Sequence, residues 1–185
     1  MEVMKSISFL LLCAVAAAPL FAADPPSARK IFDANLANTE KEVVGLAEAM
    51  PADKYDFAPT QGSFKGVRTF ALQARHIATT LNQVASTMTG EKMPADAGKD
   101  ENGPDTLKSK DEIVKYLKAA FAMAHRAAAT LTNENMLQET VDGFNPKGKR
   151  TRIDSVSIML WHTYDHYGQM VEYARMNSVI PPASR

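Results

Sequence analysis

Residues 161–170 read WHTYDHYGQM. His162 and His166 are four residues apart, which on an α-helix puts them on one side, a turn apart. At about 100° per residue, Met159, His162, Thr163, His166, Met170 and Tyr173 share one stripe, with His166 near its middle. Among four histidines a spacing of four arises by chance roughly one time in ten, so the spacing alone decides little. Its placement on the face to be buried decides more. Two imidazoles buried side by side are costly unless they share a ligand.

Working outward, this stretch belongs to a helix expected from about Arg152 to Asn177. Three more helical stretches precede it. The first opens after DPPS (24–27) with Ser27 as cap, carries Ile31, Leu36, Val43 and Leu46, and stops at Met50 before Pro51. The second begins near Val67 and sets Phe70, Ile77, Leu81, Val84 and Met88 at helical spacing before Gly90. The third follows TLKSKDE (106–112), where Ser109 and Glu112 form a capping box, and carries Ile113, Leu117, Ala120, Ala124, Ala127 and Leu131. No run of alternating β-branched residues interrupts this pattern. The expected fold is all-α, a four-helix bundle, with connections long enough for crossovers.

Three connections separate the helices. PADKYDFAPTQGSFKG (51–66) reads as a structured loop, and TGEKMPADAGKDENGPDT (89–106) as a polar, mobile one. TNENMLQETVDGFNPKGKR (132–150) has enough apolar residues for a short turn or hairpin.

The first residues read as a leader. Lys5 precedes the apolar run ISFLLLCAVAAAPLFA (7–22), which ends in small residues, as a secretory signal peptide does. The expected division is a signal peptide over 1–22 and one domain over 23–185, periplasmic or secreted, with no membrane anchor after cleavage. Cys13, the single cysteine, leaves with the leader, so the mature chain has no thiolate for metal or disulfide. Lysine plus arginine and aspartate plus glutamate number 21 each, and Glu2 and Lys5 leave together, so net charge stays at zero. That balance argues against a nucleic-acid partner.

A third ligand for the histidine pair must come from another helix. His76, in ARHIA (74–78), lies at the edge of the second helix's apolar stripe, where a ligand and an ordinary boundary histidine are equally open readings. His125 lies about 120° from the middle of the third helix's stripe and reads as a surface residue.

These residues, with KYDFAPTQGSFKGVRTF (54–70), ARHIA and HTYDHYGQM (162–170), resemble the DinB-like superfamily of metal-binding four-helix bundles. The resemblance covers nearly the whole mature chain. It implies one divalent ion per chain, held by His76, His162 and His166 and not by His125. Gly168 and Gln169 match the pair that follows the last ligand, whereas Asp165 and Tyr167 depart from the residues usual around it. Three imidazoles leave such an ion its full charge and an open position, and zinc or nickel suits them best. Gln169 is the candidate to support a ligand from behind, ahead of Asp165 and Tyr164.

The functional expectation is an exported metal-dependent enzyme, a hydrolase or transferase acting on a small molecule. Export counts against a thiol transferase, since the low-molecular-weight thiols are mainly intracellular. The alternative is a non-catalytic, stress-related module that binds metal or a small ligand, and a purely structural bundle is the third. Ile158, Leu160, Trp161 and Tyr164 extend apolar character around the last helix, so the connections or a second subunit must cover its back. The resemblance tilts this toward a homodimer.

Overall fold

The computed structural model describes residues 27–185. The expected leader, residues 1–22, lies outside them. Four helices dominate: α1 (Ala28–Ala49), α2 (Phe70–Thr89), α3 (Lys110–Ala129) and α4 (Arg152–Met176). A hairpin of β1 (Glu139–Val141) and β2 (Lys149–Thr151) forms within the third connection. The fold is an all-α four-helix bundle, and among the described residues no helix is long and apolar enough to cross a membrane.

Local chemistry sets the helix ends. Ser27 Oγ accepts from Lys30 N, and Thr151 caps α4 by accepting from Asp154 N. Ser109 and Glu112 make the reciprocal capping box of α3. Gly90 ends α2 with φ of 76°, a left-handed conformation that costs glycine nothing. α2 begins at Phe70 rather than Val67 because Thr69 is its cap and the preceding loop takes the first N–H groups. Phe70 N donates to Phe57 O and Ala71 N to Tyr55 O.

The packing follows from who touches whom. α1 lies against α3 and α4, and α2 against the same two, so α1 and α2 sit diagonally. Tyr55 joins the end of α1 to the start of α2: its hydroxyl donates to Ala47 O at 2.6 Å, and its ring meets Phe70 edge-on. Lys110 Nζ donates to Glu48 O and Met50 O, which brings the start of α3 to that same end. α2 and α3 therefore run parallel, opposite to α1 and α4. Residues 90–109 must then travel back along the bundle, which makes this connection a crossover.

That crossover was expected to be mobile, and the structure ties it down instead. Arg75, only 5% exposed, donates to Gly103 O, Leu107 O and Asp105, while Arg68 donates to Asn102 Oδ1 and Asp100 O. Below it the core is continuous. Leu36, Leu46, Phe70, Leu81, Leu117, Phe121, Met159 and Met170 are fully buried. Truncating any of the leucines to alanine would cost about 2–5 kcal/mol. On α4, Ile158 is buried but Trp161 and Tyr164 stay 57% and 41% exposed, so the connections do not cover that side.

Candidate metal centre

The stripe read from the last helix does face inward. Met159, Thr163, His166, Met170 and Tyr173 are buried, and His162 is half-buried. α2 runs antiparallel to α4 and presents His76, 3% exposed, to both histidines. Ring centroids of His76 lie 5.0 Å from His162 and 4.5 Å from His166. Ring nitrogens from all three residues fall within 4.8 Å of one another. The α2–α4 packing thus brings His76 to the histidine pair, a placement the helical wheel leaves open.

Hydrogen bonds decide which nitrogens are available. His76 Nδ1 is 2.9 Å from Glu101 O, a carbonyl that can only accept, so the proton sits on Nδ1. His166 Nδ1 donates to Gln73 Oε1 at 2.7 Å, and Gln73 Nε2 donates in turn to Gln169 Oε1 at 2.8 Å. Both rings are left with a lone pair on Nε2, which is how histidine ligands are oriented by the groups behind them. His166 Nε2 and His162 Nε2 are 3.3 Å apart. Two ligands on a tetrahedral ion with bonds of 2.0–2.1 Å would be roughly 3.3–3.4 Å apart. The residues fit a metal ion. One atom lacks a partner: His162 Nδ1 is buried and makes no hydrogen bond among the described residues.

The electrostatics favour neutral rings. Burial pushes His166 down to about 3 and His162 to about 4, and the neighbouring imidazoles and Arg68 act in the same direction. Burial also lowers His76, opposed by its bond to the Glu101 carbonyl. Neutral imidazole is the form that binds metal.

Gln169 does not touch His162. It stands one hydrogen bond behind Gln73, and Gln73 is the residue on His166. Gln73 went unnoticed in the sequence although it lies one turn before His76 within an apolar stripe. Glu101 and Arg68 come from loops, where periodicity offers no signal. His125 is remote from the cluster. It lies between α1 and α3, with Nδ1 2.6 Å from Asp33 Oδ1 and Nε2 3.3 Å from Glu40 Oε2.

Beside His166 opens a cleft of about 500 Å³, lined among others by Arg68, Leu72, Gln73, Asp100, Asn102 and Gln169. Asp100 on its wall and the adjoining Glu101 have φ of 53° and 57°, a left-handed conformation uncommon for such residues. Their carbonyls are the ones that hold Arg68 and His76. Backbone strain of this kind persists where the surrounding contacts enforce it, here at the rim of the cluster.

The fold has a counterpart among solved structures, a DinB-like protein from Bacillus cereus ATCC 10987. The two superpose with a TM-score of 0.62 at 18% identity, over 82% of this chain and 93% of that one. No curated protein matches the chain at a significant level. The family model of the DinB superfamily matches residues 35–170, from the middle of α1 into α4 and through all three histidines. The match spans most of the bundle, and the chain belongs to the DinB superfamily.

Proposed function

We propose that the chain is an exported protein holding one divalent ion, zinc or nickel, on His76, His162 and His166, and that it acts on a small molecule as a metal-dependent hydrolase or transferase. The observation that carries this reading is the pair of proton assignments. Glu101 O and Gln73 Oε1 each hold a proton on Nδ1 and leave Nε2 of His76 and His166 free. A bound ion on three imidazoles supplies Lewis-acid chemistry, polarising a carbonyl or lowering the pKa of water. The chain's own residues orient the ligands and shape the approach. Leu72 and Val67 give the cleft an apolar wall, while Gln73 and Gln169 offer amides at its floor.

Metal analysis of purified protein tests the first half of the proposal. Turnover of an ester, amide or thiol substrate, lost in His166→Ala, tests the second. A non-catalytic binding module is favoured by one observation: the groups bonded to His76 and His166 are a carbonyl and an amide, neither of which is a base. Metal bound at full occupancy without turnover would select it.

The leader supports export. Mass spectrometry of the exported form should find a chain starting near Ala23 or Asp24. The exposure of Trp161 and Tyr164 supports a homodimer through the outer face of α4. Light scattering giving a monomer mass with and without metal would remove it.

A further inference from the structure

We propose that the cleft beside His166 is an anion site in which Arg68 receives the carboxylate of a small organic acid, with the reacting part of that molecule at the three histidines. The second attachment point rests on the metal reading above; the Arg68 contact does not.

Three observations carry it. The first is an unpaired charge. Arg75, Arg126, Arg150 and Arg175 each meet a carboxylate, whereas half-buried Arg68 and Arg152 have none within ion-pair distance among the described residues, and of these two it is Arg68 that lines the cleft. A partly buried guanidinium is ordinarily paired.

The second is how Arg68 is held. Nε donates to Asn102 Oδ1 at 2.7 Å and Nη2 to Asp100 O at 2.9 Å. Both partners are neutral, so they fix the guanidinium plane without cancelling its charge. Nη1 makes no hydrogen bond among the described residues. Nη1 and the second hydrogen of Nη2 form an end-on fork suited to a carboxylate.

The third is location. Among the described residues Arg68 is the only cationic side chain lining the cleft, and His166 opens onto the same space. Exposed Asp100 is, among the described residues, the sole opposing charge in the lining. With a divalent ion on the neutral imidazoles, the cleft would be strongly positive and would draw a small anion inward.

The test uses succinate, with the neutral diamide succinamide as control, titrated calorimetrically into zinc-loaded and metal-free protein. Wild type should bind succinate and reject succinamide. Arg68→Gln should lose about ten- to a hundredfold in succinate affinity, the loss expected for a charge-assisted hydrogen bond. Asn102→Ala, which loosens the Arg68 anchor but keeps the charge, should lose less. Zinc affinity in Arg68→Gln should be equal or tighter, because a nearby positive charge is removed. A purely structural Arg68 would do the opposite: zinc affinity would fall with the loosened loop, and Asn102→Ala would match Arg68→Gln. Failure of wild type to bind succinate, or equal binding by Arg68→Gln, overturns the proposal. Failure to bind zinc overturns the metal reading alone, since Arg68-dependent binding of succinate by metal-free protein would still uphold the anion site.

Discussion

Nε2 of His162 and Nε2 of His166 face each other across 3.3 Å, one turn apart on α4. Without metal, one proton can bridge them. His166 keeps its own proton on Nδ1 for Gln73, so the bridging proton belongs to His162, whose Nδ1 has no acceptor. Displacing that proton with a metal ion uses both nitrogens and His76 together.

The first expected outcome is therefore one divalent ion per chain, lost or greatly weakened in His76→Ala and His166→Ala and unchanged in His125→Ala. His162→Ala should weaken binding least of the three cluster variants, because His162 alone has no hydrogen bond behind its ring. Because the site joins α2 to α4, the folded state should bind far better than the unfolded chain. Free zinc at 100 times its dissociation constant should then add about 2.7 kcal/mol of stability. Calorimetric melting with and without chelator reads both effects.

Gln73 should matter more than Gln169. Gln73→Leu leaves His166 Nδ1–H buried without an acceptor, and loss of such a partner typically lowers metal affinity about 10–100-fold. Gln169→Leu removes a contact one bond farther away and should cost clearly less. Competition with a chromophoric chelator gives the ranking, and a Gln169→Leu loss as large as that of Gln73→Leu would reverse the assignment.

Acid should weaken the metal-free fold in a defined window. The folded values of His162 and His166, about 4 and about 3, lie below the roughly 6.5 of free imidazole. As pH falls below about 6.5 the unfolded chain takes up protons first, so stability falls, and the decline levels off once the folded rings protonate near the lower values. Above about 6.5 these residues make no difference. Urea melts of the double variant His162→Gln, His166→Gln should show a smaller loss between about pH 6.5 and 4.5 than wild type. For the same reason, zinc should still bind well at about pH 5.5.

Helix ends and apolar stripes are legible in the sequence because both arise within a single helix. Ser27, Gly90 and the Ser109–Glu112 box mark boundaries with no tertiary information. The i, i+4 pair on the α4 stripe is legible for the same reason. Gln73, Glu101 and Arg68 are not, because each acquires its role only when a loop or a second helix arrives. The crossover shows this most clearly. Its glycines and charges read as a free loop, yet Arg75 and Arg68 grip its backbone carbonyls, and periodicity cannot anticipate a side chain that binds a distant main chain.

The same crossover gives the sharpest test of how the centre is built. Gly103 has φ of +70°, and a Cβ there would meet Thr79 Oγ1 at 2.7 Å and a Tyr116 ring carbon at 3.3 Å. Its N–H closes the loop on Ala97 O, and its carbonyl accepts from Arg75. Two residues earlier, Glu101 O holds His76. Gly103→Ala should therefore lower stability by about 1–3 kcal/mol through strain and crowding. It should also weaken zinc binding, although it touches no ligand, because the carbonyl that orients His76 moves with the loop. Gly168→Ala is the contrast. Gly168 lies exposed within α4 with nothing within 4 Å of an added Cβ. Alanine there should stabilise the helix by roughly 0.5–1 kcal/mol and leave zinc affinity alone, even though Gly168 is only two residues from His166. Melting and zinc competition on the two variants, side by side, separate control of the site through the loop from control through neighbours in the chain. Equal zinc affinity in Gly103→Ala and wild type would show that the loop does not position His76.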